Sequence, residues 1–251
     1  MITEGYLARH YRGRRGGRDP ALLDIAQDHA LKIIDEAGLF AMGLTFKGGT
    51  ALRKYRVGSV GRFSTDLDFS EDEEGVADLL FESVDGTEFL GFRFTLEITS
   101  PSVRANLRVE SPLGSPVIPS KIEVTAHRPW FAPETMDPVE FPVHSAYDFR
   151  PVSIPVMRFE ENLAEKLAAF RRRGLQRDLY DLSLFHEGAL DEELIRELTY
   201  LKVYVDVVED GHGKGPFDAS QDILRDRDAA DFPPEDIGML TEEVEPMVWL
   251  Q

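Results

Sequence analysis

The chain has 251 residues, 42% of them hydrophobic, which is enough apolar material for one full core or two modest ones. It contains no cysteine, so disulfides, thiol catalysis and thiolate metal sites are excluded and any bound metal must use oxygen or imidazole ligands. A formal net charge of −18 argues against a simple nucleic-acid binder, and no apolar run approaches the length of a membrane span.

The charge is unevenly spread. Residues 1–62 hold eleven Lys and Arg against six Asp and Glu, so the remainder of the chain carries all of the acidic excess. A basic segment of this kind suits a polyanionic substrate. The N-terminus lacks the apolar centre of a signal peptide, which gives the expectation of a cytoplasmic protein.

In chain order, residues 9–20 are rich in Arg and Gly and read as a flexible arm. Pro20, favourable in a first turn, starts a helix from about Ala21 to Ala37, with Leu22, Ile25, Ala26, His29 and Ile33 at helical spacing. Phe40 to Phe46 leads as a short strand or loop into the turn Gly48-Gly49-Thr50, and a helix from Thr50 to Tyr55 follows. Arg62 to Ser70 is a strand, and Glu71 to Val84 an amphipathic helix with acids in its first turn, where the dipole favours them. Three further strands are predicted at Phe92–Thr99, Ala105–Glu110 and Val117–Ala126. The Pro-rich stretch Arg128–Pro151 reads as a connector, with a strand at Val152–Met157 beyond it. Helices are predicted at Phe159–Arg173, Arg177–Phe185 and Asp191–Val208, ahead of an acidic tail, Asp210–Gln251, with a short helix near Ser220–Arg227. The lobe boundary is expected near Pro151, giving lobes of 1–150 and 151–251.

The chemistry concentrates between Lys47 and Ser70. On a strand, alternate side chains share a face, so Asp66 and Asp68 point one way while Leu67 and Phe69 point into a core. Two convergent carboxylates repel unless a cation lies between them, and a hard divalent ion such as Mg²⁺ suits carboxylates together with substrate phosphates. Gly48 and Gly49 allow backbone N–H groups to approach an anion, and Thr50 adds a hydroxyl. Lys47 either contacts phosphate or flanks the turn. By alternation Ser64 shares the aspartates' face and Thr65 turns to the core, with Arg62 just upstream. In the helix of the second lobe, Leu163, Leu167 and Phe170 form a stripe, with Glu161, Glu165 and Lys166 off it. Asp178 and Asp181, three apart, share a helix face, and Arg171, Arg172, Arg173 and Arg177 form a basic cluster able to take an RNA backbone. The six histidines show no metal-ligand spacing, and P-loop, nucleophile-elbow and Rossmann motifs are absent.

The ordered set Lys47–Leu52 (K-G-G-T-A-L), Arg62–Phe69, Glu161–Lys166 and Arg177–Asp181 resembles the AbiEii/AbiGii-type toxins, including the MenT-like group, within the DNA polymerase β-like nucleotidyltransferase superfamily. That resemblance implies an α/β (α+β) fold, a nucleotidyltransferase lobe with a mixed sheet followed by a mainly helical lobe. It implies an NTP substrate and a Mg²⁺ or Mn²⁺ cofactor held by Asp66 and Asp68, with Glu123 as the third carboxylate, either metal ligand or base. It gives Lys166 to the triphosphate and Asp178 and Asp181 to nucleotide binding, alongside Lys47, Gly48, Gly49, Thr50, Arg62 and Ser64. The implied acceptor is RNA, such as the 3′ end of tRNA, and the implied partner a cognate antitoxin. Transfer to a protein or small molecule, or a catalytically silent module that holds a nucleotide or a partner, are the alternatives.

Overall fold

The computed structural model describes residues 2–12, 17–185 and 190–206. The acidic tail with its expected short helix, Arg14 and Arg15 of the arm, and His186 and His212 lie outside them. The chain divides into two compact units, Met1–Met157 and Arg158–Gln251.

The first unit is built on an eight-stranded mixed sheet ordered β3-β4-β5-β6-β2-β1-β8-β7. The strands are β1 (Thr45–Lys47), β2 (Asp66–Ser70), β3 (Glu88–Phe89), β4 (Phe92–Ser100), β5 (Arg104–Ser111), β6 (Gly114–Thr125), β7 (Glu134–Met136) and β8 (Ile154–Val156). β2 runs antiparallel to β1 and parallel to β6, and β8 closes parallel onto β1. Thus the predicted strand after Pro151 belongs to the same sheet as the strand that carries the two aspartates. Alternation works as the pattern requires. Phe46, Leu67, Phe69, Phe94, Leu107, Ile122 and Val156 are all buried on one side. There α2 (Arg18–Glu36) packs on β4, β5 and β6, and α4 (Val76–Val84) packs on β4.

The arm differs from expectation. Glu4–Tyr11 forms a helix, α1, anchored by the fully buried Leu7 and packed against α2. The helix after the glycine turn starts earlier than predicted, as α3 (Gly48–Leu52), and continues as a wider-wound turn through Arg53–Val57. α4 starts later. Glu73 and Glu74 precede it, while the Glu71 carboxylate accepts from the Ala77 N–H at 2.9 Å and so satisfies an otherwise open donor of the first turn.

Between α2 and the turn after α3 lies a buried ion network. Asp24 and Asp28, one helical turn apart, are 1% and 7% exposed, and Arg53 and Lys54 are 1% and 2% exposed. Arg53 donates to Asp24 from Nε at 2.8 Å and from Nη2 at 3.2 Å, while its other terminal nitrogen donates to the Gly61 carbonyl. Its guanidinium also stacks over Phe63 and Phe141, with centroids at 4.6 and 4.9 Å. Lys54 donates to Asp28 at 2.7 Å and to the Asp24 carbonyl at 2.8 Å. His10 and Tyr147 complete the set, at 2.7 Å from Asp24 and 2.6 Å from Asp28. Two of the cations in the basic segment are therefore internal and meet no substrate.

Burial alone would raise the Asp28 pKa, but Lys54 and His144 outweigh it and hold the carboxyl at about 2. The stability this group contributes is complete above an unfolded carboxylate's ordinary value of about 4 and is lost as pH falls through about 2. Replacing one member strands its partner without compensation. Asp24→Ala is expected to cost about 3–5 kcal/mol in urea unfolding at neutral pH. Asp24→Leu/Arg53→Met is expected to recover most of that loss; a double variant as unstable as the single would contradict this account.

The second unit contains α5 (Phe159–Arg173), α6 (Gln176–Ser183) and α7 (Glu192–Tyr204), the last capped by Asp191, which accepts from the Leu194 N–H at 3.0 Å.

Candidate active site

Strand register places the site side chains in rows across the exposed face of the sheet. Lys47 on β1 is opposite Asp68 on β2, and Asp68 is opposite Glu123 on β6. Glu123 is in turn opposite Arg104 on β5. The row therefore reads cation, acid, acid, cation. A second row runs from Asp66 to Lys121 to Asn106. Asp66 and Asp68 are both half-buried, with Leu67 and Phe69 fully buried between and beyond them. The structure thus brings Lys47, Asp66, Asp68 and Glu123 onto adjacent strands. The Glu123 carboxylate is engaged laterally by Arg104 at 2.8 Å, a partner that no spacing in the sequence discloses.

The glycine turn is pressed onto this face. Gly48 has φ +75°, and a Cβ at that position would lie 2.3 Å from Asp68 Oδ2. Only glycine permits both the left-handed backbone and the contact. The Thr50 hydroxyl donates to the Asp66 carbonyl at 2.5 Å and is fully buried. It joins α3 to the aspartate strand rather than standing open to a phosphate. Ser64 and Arg62 precede β2 and are 7% and 5% exposed, and the Ser64 carbonyl accepts from Gln27 at 3.0 Å. Ser64 therefore lies outside the strand whose alternation would have aligned it with the aspartates. Among the described residues, no three acidic or histidine side chains form a ready-made metal cage. Two carboxylates suffice for an ion that completes its shell with water and substrate phosphate, and Asp66 and Asp68 are a donor set of that chemistry.

In the second unit the polar positions of α5 are more buried than its apolar pattern suggests. Glu161, Asn162 and Lys166 are 0%, 1% and 6% exposed, whereas Leu167 is only partly covered. Lys166 donates to Asp181 and lies 3.5 Å from Asp178, so the three residues named from the sequence do meet. Arg173 holds Asp178 through two bonds of 2.7 Å. Lys202 of α7 reaches Glu161 at 2.7 Å and Glu165 at 2.9 Å. Burial works against the Lys202 ammonium, but Glu165 and then Glu161 outweigh it and raise its pKa above that of an ordinary lysine. The basic cluster is largely neutralised from within. Arg171 and Arg172 both face Asp206, and Arg173 is committed to Asp178.

The Gly48 contact carries a direct prediction. Gly48→Ala is expected to lower stability by about 1–3 kcal/mol in urea unfolding. Combined with Asp68→Ala, it should cost measurably less than the sum of the two single changes, because the carboxylate it meets is gone. Strict additivity would place the strain elsewhere.

Comparison with known proteins identifies the family. The family model described as nucleotidyl transferase AbiEii toxin, type IV toxin–antitoxin system, matches residues 31–248. Among solved structures, the chain is similar to MenT4, a nucleotidyltransferase toxin from Mycobacterium tuberculosis H37Rv. The two share 42% identity over 100% of this chain and 86% of that one, with a TM-score of 0.93. JHP933 from Helicobacter pylori aligns over 89% of this chain and 90% of its own length, at 15% identity and a TM-score of 0.42, too slight a likeness to argue from. No curated protein sequence matches. With the family model spanning most of its length, the chain belongs to the AbiEii nucleotidyltransferase toxins of type IV toxin–antitoxin systems.

Proposed function

We propose that this nucleotidyltransferase toxin moves a nucleoside monophosphate from an NTP to an RNA acceptor, such as the 3′ end of tRNA, with Asp66 and Asp68 as the metal-holding pair. The observation that carries the reading is the placement of both carboxylates on one exposed strand face, with the Gly48 backbone pressed against Asp68. A divalent cation such as Mg²⁺ or Mn²⁺ supplies charge neutralisation at the triphosphate and a lowered pKa at the attacking hydroxyl when bound.

The rest of the work falls to the chain. In the overall transfer the acceptor oxygen bonds to the α-phosphorus, the bond from that phosphorus to the bridging oxygen breaks, and pyrophosphate and the hydroxyl proton leave. Lys47, in the row with Asp68, is placed to balance anionic charge at the turn. Gly48 and Gly49 let backbone approach the phosphates, and Thr50 fixes the turn to β2. Glu123, paired with Arg104, serves as third ligand or as proton acceptor. Arg62 and Ser64 support the strand entry from their buried positions. The role of Lys166, with Asp178 and Asp181, in gripping the triphosphate rests on the family resemblance and on the formation of that set in the second unit. We place the reaction in the cytoplasm, where NTPs and tRNA are found; among the described residues no helix is long and apolar enough to cross a membrane. The family implies a cognate antitoxin as partner.

One observation favours a different acceptor. Arg171, Arg172 and Arg173 are engaged by internal carboxylates, which leaves less free basic surface than an RNA enzyme commonly shows. Incubation with each α-³²P-labelled NTP, Mg²⁺ and total tRNA separates the readings. Label on tRNA is expected, reduced about 10³-fold or more in Asp66→Asn/Asp68→Asn. Label on a protein or small molecule would replace the acceptor, and transfer undiminished in that variant would remove the aspartates from the mechanism.

A further inference from the structure

In a chain this acidic, most described cations of the first unit have a side-chain partner; Arg12, Arg108, Lys121, Arg128 and Arg150 have none among the described residues, and of these Arg108 and Lys121 stand on the sheet. Arg53 and Lys54 are buried with Asp24 and Asp28. Arg18, Lys32, Arg56, Arg93 and Arg104 are paired with Glu4, Asp35, Glu134, Glu88 and Glu123. The side chains of Arg108 on β5 and Lys121 on β6 are exposed and have no hydrogen-bond or ion-pair partner among the described residues. Both stand on the face that carries the two aspartates. Lys121 is the direct register partner of Asp66 and of Asn106, and Arg108 pairs with Pro119, two residues before Lys121 on β6. With strands about 5 Å apart and about 3.3 Å of rise per residue, Lys121 lies about 5 Å from Asp66 along the sheet and Arg108 about 12 Å. Arg104, half-exposed beside Glu123, flanks the same path.

The opposite side of these strands is core, so this face is the solvent side of β5 and β6. Beyond the two aspartates, the acids that share it are Glu123 on β6, paired with Arg104, and, further out, Glu97 on β4 and Glu110 near the end of β5. No described residue that the register places on this face of β2, β5 and β6 is aromatic, so there is no platform for stacking bases. Exposed cations spaced along a strand without such a platform recognise the phosphates of a nucleic-acid backbone rather than its bases.

We infer that the exposed β5–β6 face is the docking track for the RNA acceptor, with Lys121 and Arg108 contacting backbone phosphates that lead the terminal hydroxyl toward Asp66 and Asp68. This rests on the RNA-acceptor reading above and adds where and how the strand is held. Recognition of this kind is indifferent to sequence over the contacted nucleotides, so selectivity for one RNA must come from other parts of that RNA.

The test is tRNA binding by the full chain, followed by fluorescence anisotropy over a salt series, for wild type, Arg108→Glu/Lys121→Glu, and Arg128→Glu/Arg150→Glu. The last pair changes net charge equally but lies outside the strands, in the connections after β6 and before β8. The β5–β6 variant is expected to bind tRNA at least about tenfold more weakly, with the slope of log K against log salt reduced by about 1.5, since each lost phosphate contact removes about 0.7–0.9. Its thermal midpoint should be unchanged, and the control variant should bind within twofold of wild type. Equal losses in both variants, or wild-type binding by the β5–β6 variant while wild type labels tRNA, would overturn the track and leave the transfer reading intact. The expected binding loss with label found only on a protein would keep the track as an RNA surface and overturn the transfer reading. A wild-type chain that neither binds nor labels tRNA would overturn both.

Discussion

The rest of the first unit depends on two carboxylates that are held inside it. Asp24 and Asp28 project from the middle of α2 into a region with almost no solvent, and Arg53 and Lys54, with His10 and His144 beside them, make their ionisation tolerable there. Because those cations follow directly on α3, the network fixes more than charge. It sets where the chain leaves the glycine turn, and through the Arg53 bonds to the Gly58 and Gly61 carbonyls it shapes the loop that returns to β2. Thr50 secures the other end of the same segment by its bond to Asp66. The glycine turn and the aspartate strand, sixteen residues apart in the Thr50–Asp66 bond, are thus clamped at both ends by buried polar contacts rather than by the turn's own preferences.

On that base the sheet converts a one-dimensional spacing into a two-dimensional array of charge. A D-x-D pattern alone secures only that two carboxylates share a face. The antiparallel neighbour β1 and the parallel neighbour β6 add Lys47, Glu123 and Lys121 beside them, and β5 adds Arg104. Cations therefore flank the acids across the strands, and the region near Asp66 and Asp68 is less negative than the composition of the whole chain would suggest. This reconciles a strongly acidic protein with a polyanionic substrate: local arrangement, not total charge, decides what can approach.

Much of this was legible in the sequence where it depended on local pattern. The strands at Phe92, Ala105 and Val117 and the helix at Phe159 follow from alternation and helical spacing, and the Gly48 turn with Asp66 and Asp68 follows from residue types whose chemistry is distinctive. What was not legible depended on long-range partners. Arg53 and Lys54 look like substrate-facing cations until Asp24 and Asp28, some thirty residues earlier, are placed against them. Glu161 and Lys166 look like solvated helix charges until Lys202 and Asp181 are brought beside them. The Asp24/Asp28 spacing of four on a helix otherwise full of apolar residues was the available signal, since two acids on a buried face require cations from elsewhere.

The parallel pairing of β2 with β6 has a further consequence, for the timing of synthesis. The partners Asp66 and Lys121 are 55 positions apart, and the whole β3–β4–β5 meander is made between them. While the chain is emerging from the ribosome, the aspartate strand has no parallel neighbour until residue 125 has been made, and β1 lacks its own until β8. Contacts of such separation form late, after the chain-closure entropy has been met. A chain that ends before residue 125 therefore cannot complete the β2–β6 pairing that sets Glu123 and Lys121 beside Asp66 and Asp68.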